Sequence, residues 1–325
     1  MEALRFSSFG NPRDVVELVQ IDEPGPPGSK EVLVQVDFAP INPSELLMIR
    51  GHYGVKPPLP ALLGQEGSAS VLAVGESVTK LQVGDRVILP AGRSVWRERL
   101  VVSADSLTVA PAGIDPRQLA MVRVNAPTAG LLLHEFSALR AGDWIIQNAG
   151  NSGVGRNVIA FAREAGVKVV SLVRRKDQIR DVTLAGSDVV LVEHPQVAKE
   201  VSAATGGAPI SLAFDGVAGE STASLVTSVA PKGTVVLYAG MSGRAAQVNP
   251  LLVIFGDVRV VGFWLGSSAW RSAPQIGEHV ATAVRLIGDG KLRVPVAATY
   301  PLAAAAEAIE HAERGGGKVL FQPAA

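Results

Sequence analysis

Short apolar runs recur five times between Asp143 and Tyr238, and this rhythm constrains the chain more than any other feature. The runs are Asp143–Gln147, Val167–Val173, Asp188–Val192, Ser211–Phe214 and Thr234–Tyr238. They are apolar without a strict alternation, as strands are when both faces of a parallel sheet are covered. Between them, Val154–Ala165 and Gly219–Val229 have helical length and spacing. Strand–helix alternation over about 140 residues predicts a doubly wound α/β sheet.

The residues before Asp115 follow another pattern. Glu31–Phe38 alternates for a half-buried strand behind the turn-rich Pro24–Ser29, and Ser68–Val74 and Arg86–Leu89 read as further strands. Short strands punctuated by Gly and Pro predict a β-barrel-like module. After the alternating region come a strand at Val258–Leu265, helices at Ile276–Gly288 and Leu302–Arg314, and a last strand at Lys318–Gln322.

The composition narrows the class of function. Of 325 residues 47% are hydrophobic and 18% charged, enough for a sizeable core. Lys+Arg and Asp+Glu both number 30, so the formal net charge is zero and no electrostatic reason points to nucleic acid or an anionic membrane. No apolar stretch approaches the ~20 residues of a membrane span. With no cysteine there is neither a disulfide nor a Cys-ligated zinc site. None of His52, His134, His194, His279 and His311 has metal-like spacing to another, so no metal is expected. The cysteine count and the sequence MEALRFSSFG, without a signal or presequence pattern, lead us to expect a cytoplasmic protein.

The first apolar run leads into Gln147-Asn148-Ala149-Gly150-Asn151-Ser152-Gly153-Val154-Gly155 and then a helix. A strand, a glycine turn and a helix N-terminus present free N–H groups and the positive end of a dipole to a pyrophosphate. Against G-x-G-x-x-G, Gly150 and Gly155 fit and Ser152 replaces the middle glycine. A tight turn without ligand is the other reading of this segment. The next run ends at Val173, and Arg174-Arg175-Lys176 follow where an NAD site places an acidic residue. Three cations there would clamp a 2′-phosphate, so NADPH is the expected cofactor; a solvated basic strand end is the alternative.

These segments, with Ile41–Ser44, Gly64-Gln65-Glu66-Gly67, Val74-Gly75 and Val83–Val87, resemble the medium-chain dehydrogenase/reductases. The resemblance implies a GroES-like barrel domain at 1–115, completed by 262–325, and a Rossmann NADPH-binding domain at 116–261. Gln65 stands where zinc members carry His, which places the chain in the zinc-free branch. Within that branch Asn42–Glu45, Gly51–Gly54, Tyr238–Met241 and Gly262–Leu265 resemble the mitochondrial-type trans-2-enoyl-thioester reductases, with quinone oxidoreductases as a sister branch.

That likeness implies Tyr53 as proton donor and Trp264 beside nicotinamide and substrate, with Asn42 orienting Tyr53 or the substrate carbonyl. It implies cofactor contacts at Asn125, Asn148, Asn151, Ser152, Gly153, Val154, Gly155, Arg174, Arg175, Lys176, Tyr238, Ala239, Gly240, Met241, Phe263, Trp264, Leu265, Gly266 and Lys318. Gly266 replaces an expected Ser and would loosen the nicotinamide end. The implied partners are a small-molecule substrate and a second copy in a homodimer. An acyl carrier protein would dock on Arg50, Lys56, Arg93, Arg97 and Arg99, which otherwise form a solvated face. Tyr53 also reads chemically: reduction of an activated C=C needs a proton at the α-carbon, and a phenol on a Gly-flanked loop can supply it. Without the likeness it is a packing aromatic. An NADPH-dependent quinone reductase and a non-catalytic NADPH sensor are the rival functions.

Overall fold

The short strands of the first third and the chain's end fold together. A computed structural model describes residues 1–270 and 272–324 and divides the chain into two units, Met1–Val124 with Val294–Ala325, and Asn125–Arg293. Numbered along the chain, the first unit contributes β1 (Glu2–Phe6), β2 (Val16–Gln20), β3 (Glu31–Pro40), β4 (Ala61–Leu62), β5 (Ser68–Val74), β6 (Arg86–Ile88), β7 (Arg99–Ser103) and β8 (Thr108–Val109). The second contributes β9 (Trp144–Gln147), β10 (Lys168–Val173), β11 (Val189–Val192), β12 (Ile210–Asp215), β13 (Thr234–Leu237) and β14 (Arg259–Gly262). The chain then returns to the first unit as β15 (Val296–Tyr300) and β16 (Lys318–Phe321).

In the first unit β15-β16-β3-β5-β6-β8 form one sheet with β7 on β3, and β2-β1-β4 form another. Its core gathers Phe6, Val34, Val36, Trp96 and Phe321, with Trp96 edge-on to Phe321 at 4.9 Å. This is the GroES-like half of the expected α/β fold.

The second unit is the expected doubly wound sheet, ordered β11-β10-β9-β12-β13-β14. Every neighbouring pair is parallel. Val169, Val170, Leu172 and Val173 of β10 are all buried, which is why that run shows no alternation. The strand order reverses between β9 and β12, and crevices for ligands form outside the carboxyl ends of strands at such a point.

The unit boundaries differ from the sequence reading. The helix Gln275–Gly288 lies with the cofactor-type unit, not with the barrel. It is amphipathic and buries Val280, Ala283, Val284 and Leu286. Its His279 ring lies so close over Gly130 that a Cβ there would meet Nδ1 at 2.3 Å. Arg285 reaches Glu164 at 2.7 Å from the same helix. Packing of this face joins it to the helix residues Gly130, His134 and Phe161 of the same unit, and chain order alone does not reveal that.

Candidate cofactor and catalytic sites

The turn after β9 is shaped by what its glycines cannot carry. A Cβ on Gly150 would meet Ser171 of β10 at 2.7 Å, and one on Gly153 would meet Asn125 at 3.0 Å. A Cβ on Gly155 would meet the Ala149 carbonyl oxygen at 2.6 Å and the Gly150 Cα at 2.8 Å. Ser152, in place of the middle glycine, caps the helix Gly153–Glu164 by accepting from the Gly155 N–H at 3.0 Å. The N–H groups of Gly153 and Val154 have no protein acceptor among the described residues. Two free donors at a helix N-terminus suit a phosphate oxygen.

Gly155→Ala tests this reading of the turn. In an open helix the change would gain up to about 1 kcal/mol from propensity. Here the new methyl meets backbone atoms that cannot yield, so a net loss of about 1–3 kcal/mol is expected in urea unfolding. A neutral or stabilising result would contradict the close packing.

The carboxyl edge of the parallel sheet gathers most of the remaining candidates of this unit. Arg174, Arg175 and Lys176 follow β10 and are exposed. Arg175 pairs with Asp177 at 3.1 Å, whereas Arg174 and Lys176 have no carboxylate partner among the described residues. Tyr238, Ala239, Gly240 and Met241 follow β13, and the Met241 N–H donates to the Gly216 carbonyl at 3.2 Å. The Tyr238 hydroxyl lies against Gly216; burial, with Asp215 nearby, raises its pKa well above the ordinary tyrosine value.

Asn148 has a different place from a ligand donor. It is fully buried, and its Nδ2 donates to Asp215 at 2.7 Å and to Ser221 at 2.8 Å while Oδ1 accepts from the Gly216 N–H. It ties the ends of β9 and β12 together. Phe263 is likewise buried, edge-on to Phe136 at 6.1 Å and close to Trp270. Trp264 and Leu265 are half-buried. At Gly266 a Cβ would meet the Trp264 indole at 2.8 Å, so this glycine lets the ring lie across the backbone. The missing side chain makes room for the Trp264 ring.

Asn42, Tyr53 and Lys318 belong to the first unit. Tyr53 is half-buried in the loop after the helix Pro43–Ile49, while Asn42 occupies the N-cap position at that helix's other end. Asn42 Nδ2 donates to Glu66 at 3.0 Å, and its Oδ1 accepts from Lys318 Nζ. Glu66 also accepts from the Val124 N–H at 2.8 Å. Glu45 completes the group, accepting from the Gln65 N–H at 3.1 Å and from Ser44 at 2.9 Å.

Both carboxylates are fully buried. Burial pushes Glu66 up to about 7 against the opposing pull of Lys318, Asn42 and Val124. It raises Glu45 and lowers Lys318, which the two carboxylates pull back up. The sequence reading missed Glu45 and Glu66. The available signal was Gly64-Gln65-Glu66-Gly67: a Cβ at 64 would meet the Trp96 backbone nitrogen at 2.7 Å and one at 67 the Phe38 carbonyl at 2.9 Å, so the glycines sink Glu66 into the core.

The five cations considered for an acidic carrier are largely engaged. Arg50 pairs with Glu313 and Arg99 with Glu23, while Arg97 donates to the Arg93 carbonyl at 2.9 Å and Lys56 sits over the Phe9 ring.

Two family models match the chain, an alcohol dehydrogenase GroES-like domain over residues 28–112 and a zinc-binding dehydrogenase over 153–280. The chain is 37% identical over 319 residues to the mitochondrial enoyl-[acyl-carrier-protein] reductase of Mus musculus, covering 95% of this chain and 85% of the relative. It superposes on Etr1p of Candida tropicalis, solved with NADP and crotonyl-CoA, with a TM-score of 0.86, 24% identity and 99% of both chains covered, a likeness of fold. A quinone oxidoreductase of Pseudomonas syringae gives 0.83, 29% identity and 99% of both chains. The expectation of a cytoplasmic location is overturned, since the mouse relative and its rat, human and bovine counterparts are mitochondrial by name. A neutral, cysteine-free chain carries no physical mark that separates the two compartments.

Proposed function

The chain belongs to the enoyl-thioester reductase branch of the zinc-free medium-chain dehydrogenase/reductases, and from that premise we propose that it reduces the activated C=C of 2-enoyl thioesters. It is an oxidoreductase, and its reductant is NADPH. The reading is carried by 37% identity, over 95% of the chain, to a relative named for that reaction.

The residues present fit the cofactor. The free amides of Gly153 and Val154 suit the pyrophosphate, and the unpaired Arg174 and Lys176, with Arg175, suit the 2′-phosphate. Tyr238–Met241 and Phe263–Gly266 supply further contacts, and Asn125, Asn151 and Ser152 complete the turn. When bound, NADPH supplies a hydride to the β-carbon of the substrate. The chain's own part is to orient the thioester and complete the addition at the α-carbon. Tyr53 donates its phenolic proton there, and Lys318 holds the cofactor. Trp264 offers an aromatic face whose seat depends on Gly266.

The thioester is carried by a small molecule or by an acyl carrier protein; of the cations considered for the latter, Arg50 and Arg99 pair with Glu313 and Glu23 at the surface, where such pairs exchange readily. Quinone reduction is the second reading, favoured by the Pseudomonas syringae likeness. Offering purified protein a trans-2-enoyl thioester and a quinone in parallel, with NADPH oxidation followed, tests the choice. Turnover of the quinone alone would sink the first reading.

A homodimer is part of the proposal. Among the described residues β14 pairs on one side only, and the preceding helix Pro250–Gly256 presents Leu251, Ile254 and Phe255 to solvent, Phe255 at 81% exposure. Light scattering should give twice the chain mass, and Ile254→Glu with Phe255→Glu should give a monomer. A monomeric wild type would contradict this.

A further inference from the structure

The proposed chemistry leaves a buried ionisable group without a task. Glu66 has no exposed surface, and each of its oxygens faces an N–H donor: Oε1 the Asn42 amide at 3.0 Å, Oε2 the Val124 backbone at 2.8 Å. A proton on either oxygen would confront a donor, so this geometry suits the carboxylate. The bond to Oε1 also settles which way Asn42 points. With Nδ2 on Glu66, Oδ1 turns to the Lys318 ammonium. The flipped amide would set an NH2 against an ammonium and an oxygen against a carboxylate.

The charged groups around Glu66 come from three elements. Glu45 comes from the helix Pro43–Ile49, Lys318 from β16, and Arg123 immediately precedes Val124. Lys318 is the counter-ion linked to it through Asn42. Without a carboxylate in reach, burial would drive that ammonium toward its neutral form.

We propose that Glu66 is a positioning residue for cofactor binding, fixing through Asn42 the direction and the charge of Lys318. The inference rests on the reading of Lys318 as a cofactor contact made above. Glu66 touches neither cofactor nor substrate in this scheme and acts only through its neighbours.

The test is NADPH affinity, read by fluorescence at about pH 8 with circular dichroism as a check of folding. Wild type, Glu66→Gln, Lys318→Met and the double variant are compared. Each single change should weaken binding about tenfold, the scale of one charge-assisted hydrogen bond, and the double should be no weaker than Lys318→Met alone. Independent losses that multiply in the double variant would overturn the inference. Unaltered binding by Lys318→Met would overturn it together with the Lys318 assignment. A protein that shows the expected pattern yet reduces no enoyl thioester would support the inference and remove the substrate reading.

Should Glu66→Gln fail to fold, the pH dependence of wild type against Lys318→Met decides. The 2′-phosphate titrates alike in both, so their affinity ratio isolates Lys318. Ionised Glu66 is the competent form, so the wild-type advantage should be full well above pH 7 and shrink as pH falls through about 7. A ratio constant over that range would overturn the inference.

Discussion

Tyr53→Phe protein is expected to bind NADPH like the wild type and to reduce a trans-2-enoyl thioester about 10²–10⁴ times more slowly, the range for loss of a positioned general acid. The change removes one oxygen and keeps the ring, so packing of the loop survives. The loop itself is firmly built. Gly51 closes the helix Pro43–Ile49 with φ +75°, donating to Met48 at 2.9 Å, and His52 donates to Leu47 at 2.9 Å. A Cβ at Gly51 would press on Phe9 at 3.3 Å in a backbone conformation that side chains rarely adopt. Tyr53 therefore leaves a fixed point, as a proton donor must. Single-turnover oxidation of NADPH measures the effect, and a loss smaller than about threefold would remove Tyr53 from the chemistry.

The second large effect concerns cofactor choice. Arg174→Ala should weaken NADPH binding about 10–100-fold and leave NADH binding nearly unchanged, because a guanidinium–phosphate bond contributes about 1.5–3 kcal/mol. Lys176→Ala should follow it. Arg175→Ala should cost less, since that guanidinium is shared with Asp177 at 3.1 Å. Dissociation constants for both cofactors check this order. Equal losses for NADPH and NADH would mean that the cations act on the fold, or on the pyrophosphate, rather than on the 2′-phosphate.

The parallel sheet and its glycine turn were legible because their signals are local. Fully buried strands such as β10 lose the alternation that half-exposed ones keep, and the spacing of Gly150, Gly153 and Gly155 states where side chains do not fit. The buried cluster of Asn42, Glu45, Glu66 and Lys318 was not legible as a cluster. Asn42 and Lys318 stand 276 residues apart and meet only because β16 pairs with β3. Asn148 shows the reverse limit: an amide in a cofactor turn looks like a ligand donor until Asp215 and Ser221 are found to accept from it and the Gly216 N–H to donate to it. The contact at Gly266 was hidden for a similar reason, since only the fold shows the Trp264 indole lying over it.

Isotope tracing distinguishes enoyl reduction from quinone reduction atom by atom. An enoyl thioester is reduced once with NADPH carrying deuterium at the transferred position and once with ordinary NADPH in deuterated water, and the saturated product is read by mass spectrometry. Enoyl reduction with Tyr53 as acid places the cofactor's deuterium at the β-carbon and the solvent's at the α-carbon, the latter delivered through Tyr53 and slowed in Tyr53→Phe. A protein that oxidises NADPH only with a quinone, and returns the thioester unlabelled, would contradict the account.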